Sequence, residues 1–120
     1  MNNYPERIEQ VNVTLANLNL EIAALRDAIG NREAILSLDV LTAKDEKDKP
    51  LYSNETARSA AFTLSKRDDA ELQTLTAELR THEHRRAELL ANLERLRGEF
   101  KTHLLDRQEE ISRAHAAAII

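Results

Sequence analysis

The chain has 120 residues, and 21 acidic side chains against 17 basic ones give it a formal net charge of −4 at pH 7, which fits one small acidic domain. Aromatic residues make up only 3% of the chain, and two Gly and two Pro are too few for the turns of a β-sandwich or barrel. The absence of Cys excludes disulfides and thiolate metal sites. The composition therefore favours a protein of long helices that is stabilised by the packing of Leu and Ala side chains.

The first predicted helix covers about residues 5–42 and begins at Pro5, since proline is pre-organised for the first helical position. Its apolar residues lie alternately three and four apart, a period of 3.5 that keeps one stripe facing a partner helix. The stripe comprises Ile8, Val11, Leu15, Leu18, Ile22, Leu25, Ile29 and Leu36, and Arg32 and Asp39 complete the repeat. At Gly30, inside this helix, a local kink, a close contact and a merely tolerated glycine are all open.

A second apolar set lies off this stripe. Val13 and Leu20 are seven residues apart, and Ala16, Ala23 and Ala24 lie near them. A two-helix hairpin alone would leave Val13 and Leu20 in water, so their spacing predicts a further helix, from this chain or from another copy. Isolated exposed hydrophobic residues are also ordinary, and that interpretation stays open.

A loop is predicted at 43–53, because a run of charged residues that sum to zero leads to Pro50. Ser53 or Asn54 is expected to cap a short helix at about 54–66. Asp68 and Glu71 have the spacing of a capping box, which predicts a break near residues 66–68. A helix that continues through this point is the alternative.

The last predicted helix covers about 69–115, and its heptad repeat resumes at Leu72. If the chain folds back on itself, Leu36 lies near Leu72 and Ile8 lies near Phe100. The expected fold is therefore a single all-α domain, an antiparallel coiled-coil hairpin of two long helices with a short additional helix, which dimerises into a helical bundle. Residues beyond about Lys101 overhang the first helix. Unless the end frays, another partner is therefore needed by Leu104, Leu105, Ile111, Ile119 and Ile120.

Two polar residues, His82 and Arg86, fall at core positions of this repeat. A polar core residue penalises wrong registers, so we predict that both specify register; the alternative is that both side chains reach the edge of the bundle. The spacing of His82 and His84 places them on different helix faces, and no residue pattern typical of a metal, cofactor or catalytic site occurs.

One loop segment and one helical segment carry a family resemblance. Residues 49–55, Lys-Pro-Leu-Tyr-Ser-Asn-Glu, are followed by Arg58 and by Ala60-Ala61, and residues 93–101 read Leu-Glu-Arg-Leu-Arg-Gly-Glu-Phe-Lys. This pattern resembles a family of short bacterial and prophage coiled-coil proteins, over roughly residues 30–105. The resemblance implies a helical hairpin, a phage or prophage setting and no assigned enzymatic activity, and it implies no site.

The predicted function is a non-catalytic protein–protein interaction or assembly module, a homodimer whose interface includes Val13, Leu20, Leu104, Leu105 and Ile111. One alternative is a nucleic-acid-associated protein that uses a basic face, where interleaved glutamates predict weak binding. That face comprises Arg80, Arg85, Arg95, Arg97 and Lys101. A second alternative is an acidic inhibitor of a host protein. We expect a cytoplasmic protein without cofactor, metal or membrane span.

Overall fold

A computed structural model describes residues 3–119. Within that range the chain forms three helices and no strand, so the prediction of an all-helical fold is confirmed. Helix α1 spans Tyr4–Thr42, α2 spans Glu55–Asp68 and α3 spans Ala70–Ile119. The predicted ends at 66 and 115 therefore fall short of the observed ends of α2 and α3.

The chain divides into two compact units, and both contain parts of α1 and α3. Unit 1 comprises Met1–Leu18 and Arg85–Ile120, and unit 2 comprises Asn19–His84. The expectation of a single helical domain stays a prediction.

Unit 1 buries one row of apolar side chains where the start of α1 meets α3. Leu15 and Leu18 of α1 are buried, as are Leu93 and Leu96 of α3, and Leu96 is only 2% exposed. Tyr4 closes this row, with its ring centroid 5.8 Å from that of Phe100. The sequence did not predict a core role for Tyr4, because the first helix was expected to begin at Pro5. Tyr4 nevertheless lies seven residues before Val11, in phase with the heptad stripe.

Unit 2 has a similar core, with Ile22, Leu36 and Val40 buried on α1. The sequence repeat placed Asp39 in this row, and that prediction is wrong, since Asp39 is exposed. A step of four residues from Leu36 to Val40 follows the 3.6-residue period of a straight helix. This step buries Val40, whereas a strict period of 3.5 residues would bury the carboxylate of Asp39.

The loop between α1 and α2 is closed by its own hydrogen bonds. Asp45 Oδ1 accepts from the backbone N–H groups of Lys47 and Lys49, at 2.8 and 3.0 Å. The Leu51 N–H donates to the Ala43 carbonyl at 2.9 Å, beside an isolated antiparallel bridge. Asp48 has a φ of 62°, a left-handed conformation that Asp adopts more readily than most residues. The predicted loop is therefore held by specific hydrogen bonds of its own backbone and of Asp45.

Asn54 caps α2, because its Oδ1 accepts from the N–H of Ala57 at 2.8 Å. The break after α2 falls at Asp69, whose φ of −79° and ψ of 112° are extended. The predicted capping box at Asp68 and Glu71 is wrong, since Asp69 Oδ2 instead accepts from the N–H of Leu72 at 2.8 Å. The N-cap of α3 is thus one residue later than the spacing suggested.

Candidate interaction surfaces

The predicted second stripe of α1 is exposed to solvent. Val13, in unit 1, has 54% of its surface exposed, and Leu20, in unit 2, has 70% exposed. Burying an exposed leucine side chain releases roughly 1.5–3 kcal/mol. Both positions can therefore contribute to association with another helix.

The C-terminal part of α3 carries the other predicted interface residues. Leu104, Leu105 and Ile111 are 46%, 56% and 62% exposed. Every residue from 101 to 119 is exposed, although the helix continues to Ile119. Within this segment Arg113 Nη2 donates to Glu109 Oε1 at 2.8 Å, a pair one helical turn apart. Such pairs stabilise a helix by only about 0.2–0.5 kcal/mol, so the segment gains little from its own contacts.

The two predicted register residues differ in environment. The His82 ring is partly buried, and its Nε2 lies 3.0 Å from Oε2 of Glu21 on α1. Its Nδ1 lies 2.8 Å from the Glu78 carbonyl oxygen. Both partners accept hydrogen bonds, so the ring serves both only when both nitrogens carry a proton. The heptad repeat had placed Arg86 in the buried row. In the structure Arg86 is exposed and lies outside that row.

An ion pair in unit 2 joins Arg32 of α1 to the break between α2 and α3. The Arg32 guanidinium donates to both carboxylate oxygens of Asp69, at 2.9 Å from Nε and 2.6 Å from Nη2. It also lies 3.4 Å from Glu71 Oε2. The heptad repeat placed Arg32 on the inner stripe, but the identity of its partner depends on the fold.

This ion pair changes the acidity of both groups. The hydrogen bonds from Arg32, followed by that from the Leu72 N–H, lower the pKa of Asp69 to about 2. The hydrogen bond to Asp69 raises the pKa of Arg32 above its usual value. The Asp69 carboxylate thus stays ionised over the physiological range while it caps α3.

The residues of the proposed basic face, Arg80, Arg85, Arg95, Arg97 and Lys101, are all exposed. Arg95 already donates to Glu99 at 2.9 Å and to Asn92 at 2.6 Å. A phosphate ligand would have to compete with these contacts. The face is accessible, but its charge is partly compensated within α3.

Three exposed residues near the end of α1 were missed at the sequence level. Ile35, Leu38 and Leu41 are 49%, 59% and 58% exposed. Leu41 also lines a shallow groove of about 190 Å³ together with Phe62 of α2. The signal in the sequence is the spacing of three residues between these side chains. The inner stripe through Leu36 is the longer apolar repeat in the same helix, and it was the one used for the prediction.

Within residues 3–119, no group of three or more His, Asp or Glu side chains is arranged to hold a metal ion. None of the helices in this described range combines the length and apolar character needed to cross a membrane. Comparison with protein-family models, with curated proteins and with solved structures gave no match.

Proposed function

We propose that this chain is a non-catalytic protein–protein interaction module, an antiparallel coiled-coil hairpin that assembles as a homodimer. The observation that carries the proposal is the exposure of large aliphatic side chains on long helices, outside the buried rows. Large contiguous apolar patches are rare on the surfaces of monomeric proteins, and where they occur they commonly mark interaction sites.

The order of contacts within each unit supports the hairpin. In unit 2, Arg32 contacts Asp69, whereas the earlier residue Glu21 contacts the later residue His82. In unit 1, Tyr4 stacks near Phe100. Earlier residues of α1 thus meet later residues of α3, as two helices running in opposite directions require.

The exposed segment 101–119 supports assembly. Helices in proteins gain most of their stability from the packing of an apolar face, and every residue of this segment is exposed. Its large apolar side chains, Leu104, Leu105, Ile111 and Ile119, are exposed, and Ile120 lies outside the described residues. A second copy would supply the missing apolar partner. The phage or prophage setting and the cytoplasmic location stay predictions.

Light scattering coupled to size-exclusion chromatography tests the assembly. We expect a mass near twice the chain mass of 13.6 kDa at micromolar concentration. A triple variant, Leu104→Ser with Leu105→Ser and Ile111→Ser, should shift the equilibrium toward the monomer because it removes apolar surface from the interface. The matched control is Thr102→Ser, a polar exchange on the same exposed segment. A monomeric mass for the unaltered chain would overturn the proposal.

A further inference from the structure

The outer face of α1 in unit 2 carries a second heptad repeat, distinct from the buried row. One set of positions recurs every seven residues, and a second set lies between its members at steps of four and three. The first set is Leu20, Asp27, Ala34 and Leu41; the second is Ala24, Asn31 and Leu38. All seven side chains are exposed. Alternating steps of three and four are the pattern by which one helix presents a continuous seam to another.

The leucines of this outer seam, as we call these seven positions, are among the most exposed apolar residues of unit 2. Leu20 is 70% exposed, and Leu38 and Leu41 are 59% and 58% exposed. The inner row of α1 is already covered, with Ile22 only 3% exposed. The outer seam is therefore a separate surface with room for another helix.

The polar residues of the outer seam discriminate between possible orientations of a second copy. In a parallel pair each position faces its own equivalent, so Asp27 would face Asp27 of the second copy. Like charges directly opposed are destabilising. In an antiparallel coiled coil the two sets of positions face each other instead, and Asp27 then meets Asn31 of the second copy, whose amide N–H group can donate to the carboxylate.

The antiparallel arrangement also matches the remaining layers. Leu20 meets Leu38 of the second copy, and Ala24 meets Ala34 of the second copy. These three layers join residues of compatible size and polarity, and the two-fold axis repeats each of them on its other side, as a closed dimer requires. Leu41 lies beyond the last of these layers. From this complementarity we propose that the outer seam of α1 packs antiparallel against the outer seam of a second copy of this chain.

Gly30 acquires a role in this arrangement. It lies on α1 beside the outer seam, close to the two-fold axis, and no atom lies within 4 Å of a Cβ built on it. In the dimer it lies next to Gly30 of the second copy. The absence of a side chain lets the two backbones approach closely where the alanine layers already keep the interface thin.

The proposal rests on the proposed function for the existence of an assembly. It adds the outer seam of α1 as a contact surface besides the exposed segment of α3, together with the orientation of the two copies at that seam. The chain has no Cys, so single Cys variants report one position each. Leu20→Cys and Leu38→Cys proteins, one of them carrying a mass tag, are mixed, allowed to exchange and treated with a short bis-maleimide crosslinker. We expect the mixed-tag dimer as the main crosslinked product, and little product from either variant alone.

Efficient crosslinking of Leu20→Cys to itself would establish a parallel pair and overturn the proposal. A dimeric mass without any crosslink at these positions would overturn the outer seam while leaving the proposed function intact. A monomeric mass for the unaltered chain would overturn both.

A second experiment changes the charges in the layer of Asp27 and Asn31. Asn31→Asp places two carboxylates in one layer and should raise the dimer dissociation constant by about tenfold or more. The double variant Asp27→Asn with Asn31→Asp restores one carboxylate and one amide in that layer and should recover most of the affinity. Asn12→Asp, an exposed change of the same kind outside the outer seam, is the control. Equal effects of Asn31→Asp and Asn12→Asp would contradict the pairing.

Discussion

Asp69 combines two roles in one carboxylate. It accepts both hydrogen bonds from the Arg32 guanidinium and it caps α3 through the N–H of Leu72. Gln73 complements it, because its amide nitrogen donates to the carbonyls of Lys66 and Arg67 at the end of α2. Both ends of the break therefore have side-chain partners, which helps an extended residue persist between two helices.

The charge of Asp69 should make its contribution to stability depend on pH. Its pKa is about 2 in the folded chain, below the value of about 3.9 in unfolded peptides. The stabilisation is therefore fully present above pH about 4 and is lost as the pH falls toward about 2. Asp69→Asn keeps an N-cap oxygen but removes the charge, so it should lower the melting temperature at pH 7 and have a much smaller effect near pH 2.

Thermal unfolding followed by circular dichroism at pH 7, 4 and 2 measures this difference. Asp68→Asn is the matched control, because Asp68 is exposed and pairs with its neighbour Arg67. If Asp69→Asn and Asp68→Asn lower the melting temperature equally at pH 7, the contact with Arg32 is not the source.

At the scale of single residues, the sequence predicts capping residues and hydrogen-bond donors better than it predicts which residues they contact. Asn54 was one of two predicted caps, and Arg32 was on the predicted inner stripe. The pairing of Arg32 with Asp69 joins positions far apart in the chain, and no local pattern encodes it. Local capping-box spacing even favoured Asp68, since it ignores which carboxylate a distant guanidinium can reach.

At the scale of the helices, each buried row is one side chain deep. A single substitution in the row should therefore be costly, whereas the same substitution outside it should not. Leu96→Ala should destabilise the protein by about 3 kcal/mol, the usual cost of a buried leucine truncated to alanine. Leu96 is 2% exposed, whereas Leu90 on the same helix is 41% exposed, so Leu90→Ala should cost less than about 1 kcal/mol.

Urea unfolding of both variants at one protein concentration measures the difference, because the fixed concentration keeps any contribution from association comparable between them. Equal losses for Leu96→Ala and Leu90→Ala would show that the buried row does not dominate the stability of unit 1.

The boundaries of the helices were largely predictable, because capping residues, Pro and heptad spacing are local signals. α1 begins at Tyr4 and ends at Thr42, against the predicted range 5–42. The internal order of the loop was not predictable from charge alone. Its hydrogen bonds arise from the position of one side chain, Asp45, relative to two backbone N–H groups.

At the scale of the whole molecule, composition and periodicity predicted an all-helical chain. They did not predict the full outer seam, because Ala24, Asn31 and Ala34 carry little apolar signal by themselves. Their meaning depends on knowing which face of α1 is already covered. The sequence therefore pointed to Val13 and Leu20 but not to Leu38 and Leu41.

Nucleic-acid binding is the function that most clearly competes with assembly. The net charge of −4 and the contact of Arg95 with Glu99 predict weak binding to DNA, with a dissociation constant of about 10⁻⁵ M or higher at physiological salt. Fluorescence polarisation at two salt concentrations measures it. A triple variant with Arg85→Glu, Arg95→Glu and Arg97→Glu provides the comparison, and sub-micromolar binding abolished by these changes would favour the nucleic-acid alternative.

The break at Asp69 also bears on how the chain can evolve. Between Glu55 and Gly98 there is neither glycine nor proline, so the local sequence would allow one uninterrupted helix. The break is instead held by side-chain contacts, among them the pair of Arg32 and Asp69, which lie far apart in the sequence. Substitution of either residue therefore alters a contact of the break during evolution without the gain or loss of a glycine or proline.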